Sequence, residues 1–243
     1  MGLQRPKRPQ RPERPQRTLA WMKDGTERLL ADLAGLPDEA LTAPTALPGW
    51  TRRHLLAHIA ANAGALRNLL SWARTGEERR MYASQQQRDA DIAAGAARPA
   101  DELRAWVESS AAELAADLDA LPGPAWEATV ITAQGVTRAA AEIPWMRVRE
   151  VYVHAVDLAA GTAFADLPAD FLAALLDDVT ARRSARDGGP ALAVAASDTG
   201  GRWEVAGPGA PAPVTAPLAA LAAWLTGRPA PSLANAPVLP PWL

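Results

Sequence analysis

Glu150 and His154 stand four residues apart in PWMRVREVYVHAVDL, residues 144–158. In a helix, that spacing puts a carboxylate and an imidazole on one face, one turn apart. The chain holds 3 histidines, and the other two, His54 and His58, also lie four apart, in TRRHLLAHIAANA. All the imidazole therefore falls in two short amphipathic segments, one of which adds a glutamate. Two histidines and a carboxylate from facing helices can hold a divalent cation and leave one coordination position open. That is the pattern of a catalytic rather than a structural zinc site.

Each residue also has a plainer reading. His58 is flanked by Leu55, Leu56 and Ile59, and a lone histidine on such a face is more often a hydrogen-bonded core residue than a ligand. Glu150 sits between Val148 and Val151, and His154 between Val153 and Val156. A carboxylate in those surroundings is costly unless paired or metal-bound. A metal site and a hydrogen-bonded core cluster both remain open on these grounds. His54, near its helix start beside Arg52 and Arg53, reads as a neighbour of the ligands or a solvent-facing residue, with a fourth ligand less favoured. Trp50 and Trp145 each begin a histidine-bearing helix and could wall a site, although aromatics so placed are more often core.

The elements that must carry these residues follow from period and punctuation. Thr18 is a candidate cap for a helix to about Gly35, weakened in the middle by Gly25. Thr51 caps a second helix to about Thr75, with Leu55, Leu56, Ile59, Leu66, Leu69 and Leu70 on its apolar side. Ser84 caps a third through Ala97. Pro99 with Asp101 and Glu102 opens a fourth to about Leu121. β-Branched residues around Gln134-Gly135 suggest a short hairpin or an irregular crossover. Pro144 opens the helix of Glu150 and His154, ending near Gly161. Beyond it, LPADFLAALLDDVTARRS reads as a helix, ALAVAAS and RWEVAG as two strands, GPGAPAP as a loop, and APLAALAAWLTGR as a last helix.

The expected organisation is a Pro/Arg-rich disordered tail over 1–17, a helix bundle over 18–161 and a small α+β domain over 164–243. In the tail, proline recurs at positions 6, 9, 12 and 15, which suits solvated polyproline II. A hydrophobic fraction of 49%, mostly Ala and Leu, favours a mainly α fold. No apolar run reaches membrane-span length, and no N-terminal signal-type segment is visible, so a cytoplasmic protein without a membrane partner is expected. The net charge of −2 hides an asymmetry: six basic residues and Glu13 fall within 1–17, leaving the body at −7. An acidic body does not suit nucleic acid. With 0 cysteines, disulfides, thiolate metal sites and a cysteine nucleophile are excluded, and any thiol chemistry must borrow its thiol.

LPGWTRRHLLAHIAANAGALRNLLSWARTG, EIPWMRVREVYVHAVDLAAG and FADLPADF together resemble the mycothiol-dependent maleylpyruvate isomerases, and the resemblance runs from about Thr18 to Arg228. It implies a DinB-like four-helix bundle of up-down-down-up arrangement, followed by a C-terminal α+β domain similar to sterol carrier proteins. It implies a divalent metal, zinc preferred, on His58, Glu150 and His154. It also implies that Arg228 is an arginine used near the site. Taken by itself, Arg228 reads as a cation at a helix C-terminus.

The implied reaction is cis–trans isomerisation of an activated double bond, maleylpyruvate to fumarylpyruvate or a related cis-enone acid. A thiolate adds, the bond rotates, and elimination restores the alkene. The cofactors are the metal and mycothiol, and the partners are a small-molecule substrate and a low-molecular-weight thiol. Arg228 and Arg52 are the candidates for pairing with the substrate carboxylates. Two other readings compete: a mycothiol S-transferase acting on electrophiles, and a non-enzymatic, metal-binding regulatory bundle. A monomer or weak homodimer is expected.

Overall fold

A computed structural model of the chain describes residues 15–242. The expected polyproline II segment lies almost wholly outside the described residues. The chain divides into two units, residues 1–154 and 155–243, and no described helix is long and apolar enough to cross a membrane.

The first unit is helical. It contains α1 (Gln16–Ala34), α2 (Arg52–Thr75), α3 (Gln85–Ala96), α4 (Ala100–Asp119) and most of α5 (Ile143–Leu158). A short antiparallel hairpin, β1 (Thr129–Ile131) and β2 (Thr137–Ala139), precedes α5 and turns through Gly135 at φ 74°. α2 is the central element, packed against α3 and α4. Its Leu55, Leu56, Ile59, Leu66 and Leu69 are fully buried, the stripe that its 3.6-residue period prescribes. Ser84 Oγ caps α3 by accepting from the Gln87 N–H at 3.0 Å, and Gly76 ends α2 in the left-handed region.

Two expectations about α1 need correction. The helix starts at Gln16, two residues before Thr18, with Pro15 ahead of it and no side-chain cap. Pro15 supplies a φ of −71° compatible with entry into a helix, so the helix does not wait for a capping hydroxyl. Gly25 is not merely a weak point. A Cβ there would lie 2.7 Å from Val151 Cγ2 and 3.1 Å from Tyr152 Cδ1. The missing side chain lets α1 approach α5 at the turn that carries Glu150.

The second unit is α+β. α6 (Ala169–Ser184) and α7 (Leu218–Leu225) pack on each other and on a sheet of β3 (Leu192–Ala196), β4 (Arg202–Val205) and β5 (Ala212–Ala216). The strand order is β4-β3-β5, with β3 antiparallel to β4 and parallel to β5. The expected loop GPGAPAP forms through Pro211, but its last two residues, Ala212 and Pro213, open β5 instead. Pro213 can sit in β5 because β5 is an edge strand, where a missing N–H is tolerated. Asp198 accepts from the Leu218 N–H at 2.9 Å and so caps the start of α7 from the β3–β4 turn.

Candidate functional site

His58 comes from the second turn of α2, and Glu150 and His154 from successive turns of α5. The two helices meet through Arg147, whose Nη1 donates to Ile59 O at 2.7 Å and to Asn62 Oδ1 at 3.0 Å. That contact sets α5 beside the stretch of α2 that holds His58. Both imidazoles then point their Nε2 at one carboxylate oxygen, Glu150 Oε2, at 2.9 Å from His58 and 3.2 Å from His154. One donor atom from each of the three residues falls within 4.8 Å of the others. The imidazole rings lie edge to face, centroids 5.2 Å apart, and Trp50 packs on His58 at 5.3 Å.

The electrostatics are those of a buried carboxylate held between donors. Burial alone would raise the Glu150 carboxyl. Hydrogen bonds from His154 and His58 outweigh burial and hold it well below the ordinary carboxylate range. Burial pushes the His58 imidazole below its usual value, helped by the charges of His154 and Arg88, while Glu150 opposes the shift. His58 is therefore neutral at pH 7. Arg88 Nη2 lies 3.4 Å from His58 Nδ1, so the tautomer with its proton on Nε2 satisfies both neighbours. Behind Glu150, Arg147 is 1% exposed. Burial lowers its pKa to about 10, against the pull of Glu150, and its Nη2 has no hydrogen-bond partner among the described residues.

The remaining sequence candidates make the following contacts. His54 turns back on its own helix start, where Nδ1 accepts from the Thr51 N–H at 3.3 Å and lies 2.8 Å from Thr51 Oγ1. It works as a cap and is not part of the three-residue cluster. Trp145 packs on Trp21 of α1 at 6.2 Å. Arg52 Nη1 donates to Ala40 O at 3.2 Å. In the second unit, Arg228 forks onto Asp157, with Nε to Oδ1 at 3.0 Å and Nη2 to Oδ2 at 2.6 Å, and its Nη1 donates to Thr226 O.

Sequence reasoning overlooked Tyr82 and Arg88. They sit in and after a polar stretch with no apolar period, so no local signal marks them. The fold carries them to the cluster: the Arg88 guanidinium lies 5.9 Å from the Tyr82 ring centroid, and both burial and the charge of Glu150 raise the Tyr82 hydroxyl.

The class of protein is thus a helix bundle with a buried His–Glu–His cluster, followed by a small α+β unit. The sequence profile of the mycothiol maleylpyruvate isomerase N-terminal domain matches residues 22–159, and that of the MDMPI C-terminal domain matches residues 166–239. A crystal structure of the mycothiol-dependent maleylpyruvate isomerase is 36% identical, covers 93% of this chain and 96% of its own, and superposes with a TM-score of 0.89. A histidine-to-alanine mutant of that enzyme gives 35% and 0.88 over the same coverage. YfiT from Bacillus subtilis, with an unusual four-helix bundle topology, shares the fold at 15% identity, covering 65% of this chain and 91% of its own with a TM-score of 0.50. No curated protein matches the chain. The chain belongs to the mycothiol-dependent maleylpyruvate isomerase family.

Proposed function

We propose that this chain is a mycothiol-dependent cis–trans isomerase that converts maleylpyruvate, or a related cis-enone acid, to its trans isomer. One observation carries the reading. A chain 36% identical to a maleylpyruvate isomerase over 93% of its length brings His58, Glu150 and His154 to within 4.8 Å of one another.

The donor set suits a divalent cation. Two imidazoles, one of them held neutral, and a carboxylate held ionised need no further proton loss from the carboxylate to become ligands. Three protein ligands leave a position for an exogenous group, and imidazole with carboxylate suits zinc. When bound there, the cation would let a coordinated thiol ionise at neutral pH, supplying the thiolate whose addition and elimination permit rotation about a conjugated double bond. The chain's own residues do the holding. Arg147 fixes α5 against α2, so that Glu150 and His154 face His58. Trp50 covers the His58 ring and limits water on that side. The absence of cysteine fits a reaction that takes its thiol from solution. Arg228 we assign to positioning through Asp157, near the end of the helix that bears the cluster. Arg52 keeps a general cationic role at the start of α2.

The test is turnover of maleylpyruvate by the full chain, purified without a histidine tag and assayed with and without mycothiol, alongside metal analysis. Thiol-dependent formation of the trans isomer is expected, with about one divalent ion per chain in the wild type and a small fraction of that in His58→Ala. Full activity without thiol, or equal metal in the two proteins, would overturn the reading.

A further inference from the structure

A dicarboxylate substrate needs a cation that can reach it and is free to change partners. Three arginines compare poorly on that score. Arg147 is 1% exposed and bound to Ile59 O and Asn62. Arg228 spends Nε, Nη1 and Nη2 on Asp157 and Thr226 O. Arg52 is turned to Ala40 O. Arg88 differs. Its side chain is 22% accessible; among the described residues its ion pair is with Asp89, itself 59% accessible, and it also hydrogen-bonds the Tyr82 side chain. Its other edge meets His58 Nδ1 at 3.4 Å, long for a hydrogen bond to a neutral acceptor.

That contact is also conditional. Nδ1 can accept from Arg88 only while the His58 proton sits on Nε2. When Nε2 becomes a ligand, a neutral imidazole must carry its proton on Nδ1, which then faces the Arg88 N–H as donor against donor. The guanidinium has to leave Nδ1, and an anion beside the cluster is the natural replacement, because a carboxylate accepts two parallel bonds from the guanidinium fork. The Tyr82 ring, 5.9 Å from the guanidinium, limits how far the fork can swing.

We infer that Arg88, steadied by Tyr82, is the carboxylate anchor of this site: it pairs with a carboxylate of the cis-enone substrate beside His58 and so selects diacids. The inference rests on the isomerase reading above and adds a residue to it. Substrate binding loads Arg88 and metal binding unloads it from His58, so the two events favour each other without direct contact between cation and arginine.

The experiment uses the metal-loaded full chain with Arg88→Met and Arg88→Lys, each checked for fold by circular dichroism and for metal content. Maleylpyruvate is varied at saturating mycothiol, then mycothiol at saturating maleylpyruvate. Maleate, a cis-diacid, is titrated calorimetrically in thiol-free buffer, where no thiolate addition can occur. A charge-assisted pair predicts that KM for maleylpyruvate in Arg88→Met rises roughly ten- to hundredfold while KM for mycothiol changes by less than about threefold. Maleate binding should weaken in parallel, and Arg88→Lys should fall between, keeping the charge but losing the fork. Unchanged maleate affinity in Arg88→Met, or a rise in KM confined to the thiol, overturns the assignment, as does a wild type that does not bind maleate. If the wild type binds maleate but turns nothing over, the isomerase reading fails, and the effect of Arg88→Met on maleate affinity still decides what Arg88 does.

Discussion

The Asp157–Arg228 pair offers the sharpest separation between a residue that contacts substrate and one that holds the fold. The side chains are 1% and 12% accessible, and two bonds of 3.0 and 2.6 Å join them. The guanidinium also lies 5.7 Å from the Trp242 ring centroid. Removing one partner of such a pair strands a charge away from water, which costs about 3–5 kcal/mol. For a chain of this size, that is a fall in Tm of roughly 6–20 °C. Removing both partners relieves the stranded charge, so the double variant Asp157→Asn/Arg228→Met should lose far less than the sum of the singles, with a coupling of about 2 kcal/mol or more. Urea and thermal unfolding followed by circular dichroism measure all four corners of the cycle. If Arg228 acts only through Asp157, Asp157→Asn should reduce turnover as much as Arg228→Met does, and maleate affinity should stay near that of the wild type in both. Additive single effects, with coupling below about 0.5 kcal/mol, would refute the structural argument. Loss of maleate binding in Arg228→Met alone would make Arg228 a substrate contact instead.

Gly25→Ala tests the α1–α5 approach. A Cβ at 2.7 Å from Val151 Cγ2 forces a shift costing about 1–3 kcal/mol, against a helix-propensity gain of about 1 kcal/mol, so modest destabilisation with weakened metal retention is expected in chelator competition. No stability loss together with unchanged metal affinity would show that the gap closes freely. The depressed His58 pKa sets a pH dependence. A group that protonates only below its ordinary value offers no proton to displace at neutrality, so the His58 contribution to the pH dependence of metal affinity should be absent as pH falls through 6.5 and appear only further into acid, as the difference between the wild type and His58→Ala. The same shift makes the metal-free protein lose stability below that pH, because the unfolded chain takes up the His58 proton first. Calorimetric metal titrations across pH check the first expectation and urea midpoints the second.

Much of the local structure was legible in the sequence, because it depends on neighbours within one or two turns. The four-residue spacing of Glu150 and His154 needs only a helix to put both on one side. Ser84, Pro99 and Gln134-Gly135 punctuate the chain through their own hydrogen bonds and backbone preferences, and the elements broke close to them. The leucine period of α2 identified a buried face without naming what covers it.

Tertiary structure decided whatever depends on residues far apart in the chain. His58 meets Glu150 across 92 positions, and that meeting rests on Arg147 reaching Ile59 O and on Gly25 leaving room for α5. Arg88 stands beside His58 because α3 packs on α2, and no pattern in QQQRDAD could have announced it. The strand at Ala212–Ala216 forms because β3 offers it a parallel partner and its own outer edge tolerates Pro213. Propensity and period act over a few residues. Facing donors, pairs such as Asp157–Arg228 and edge strands are set by burial of surfaces that only the folded chain brings together.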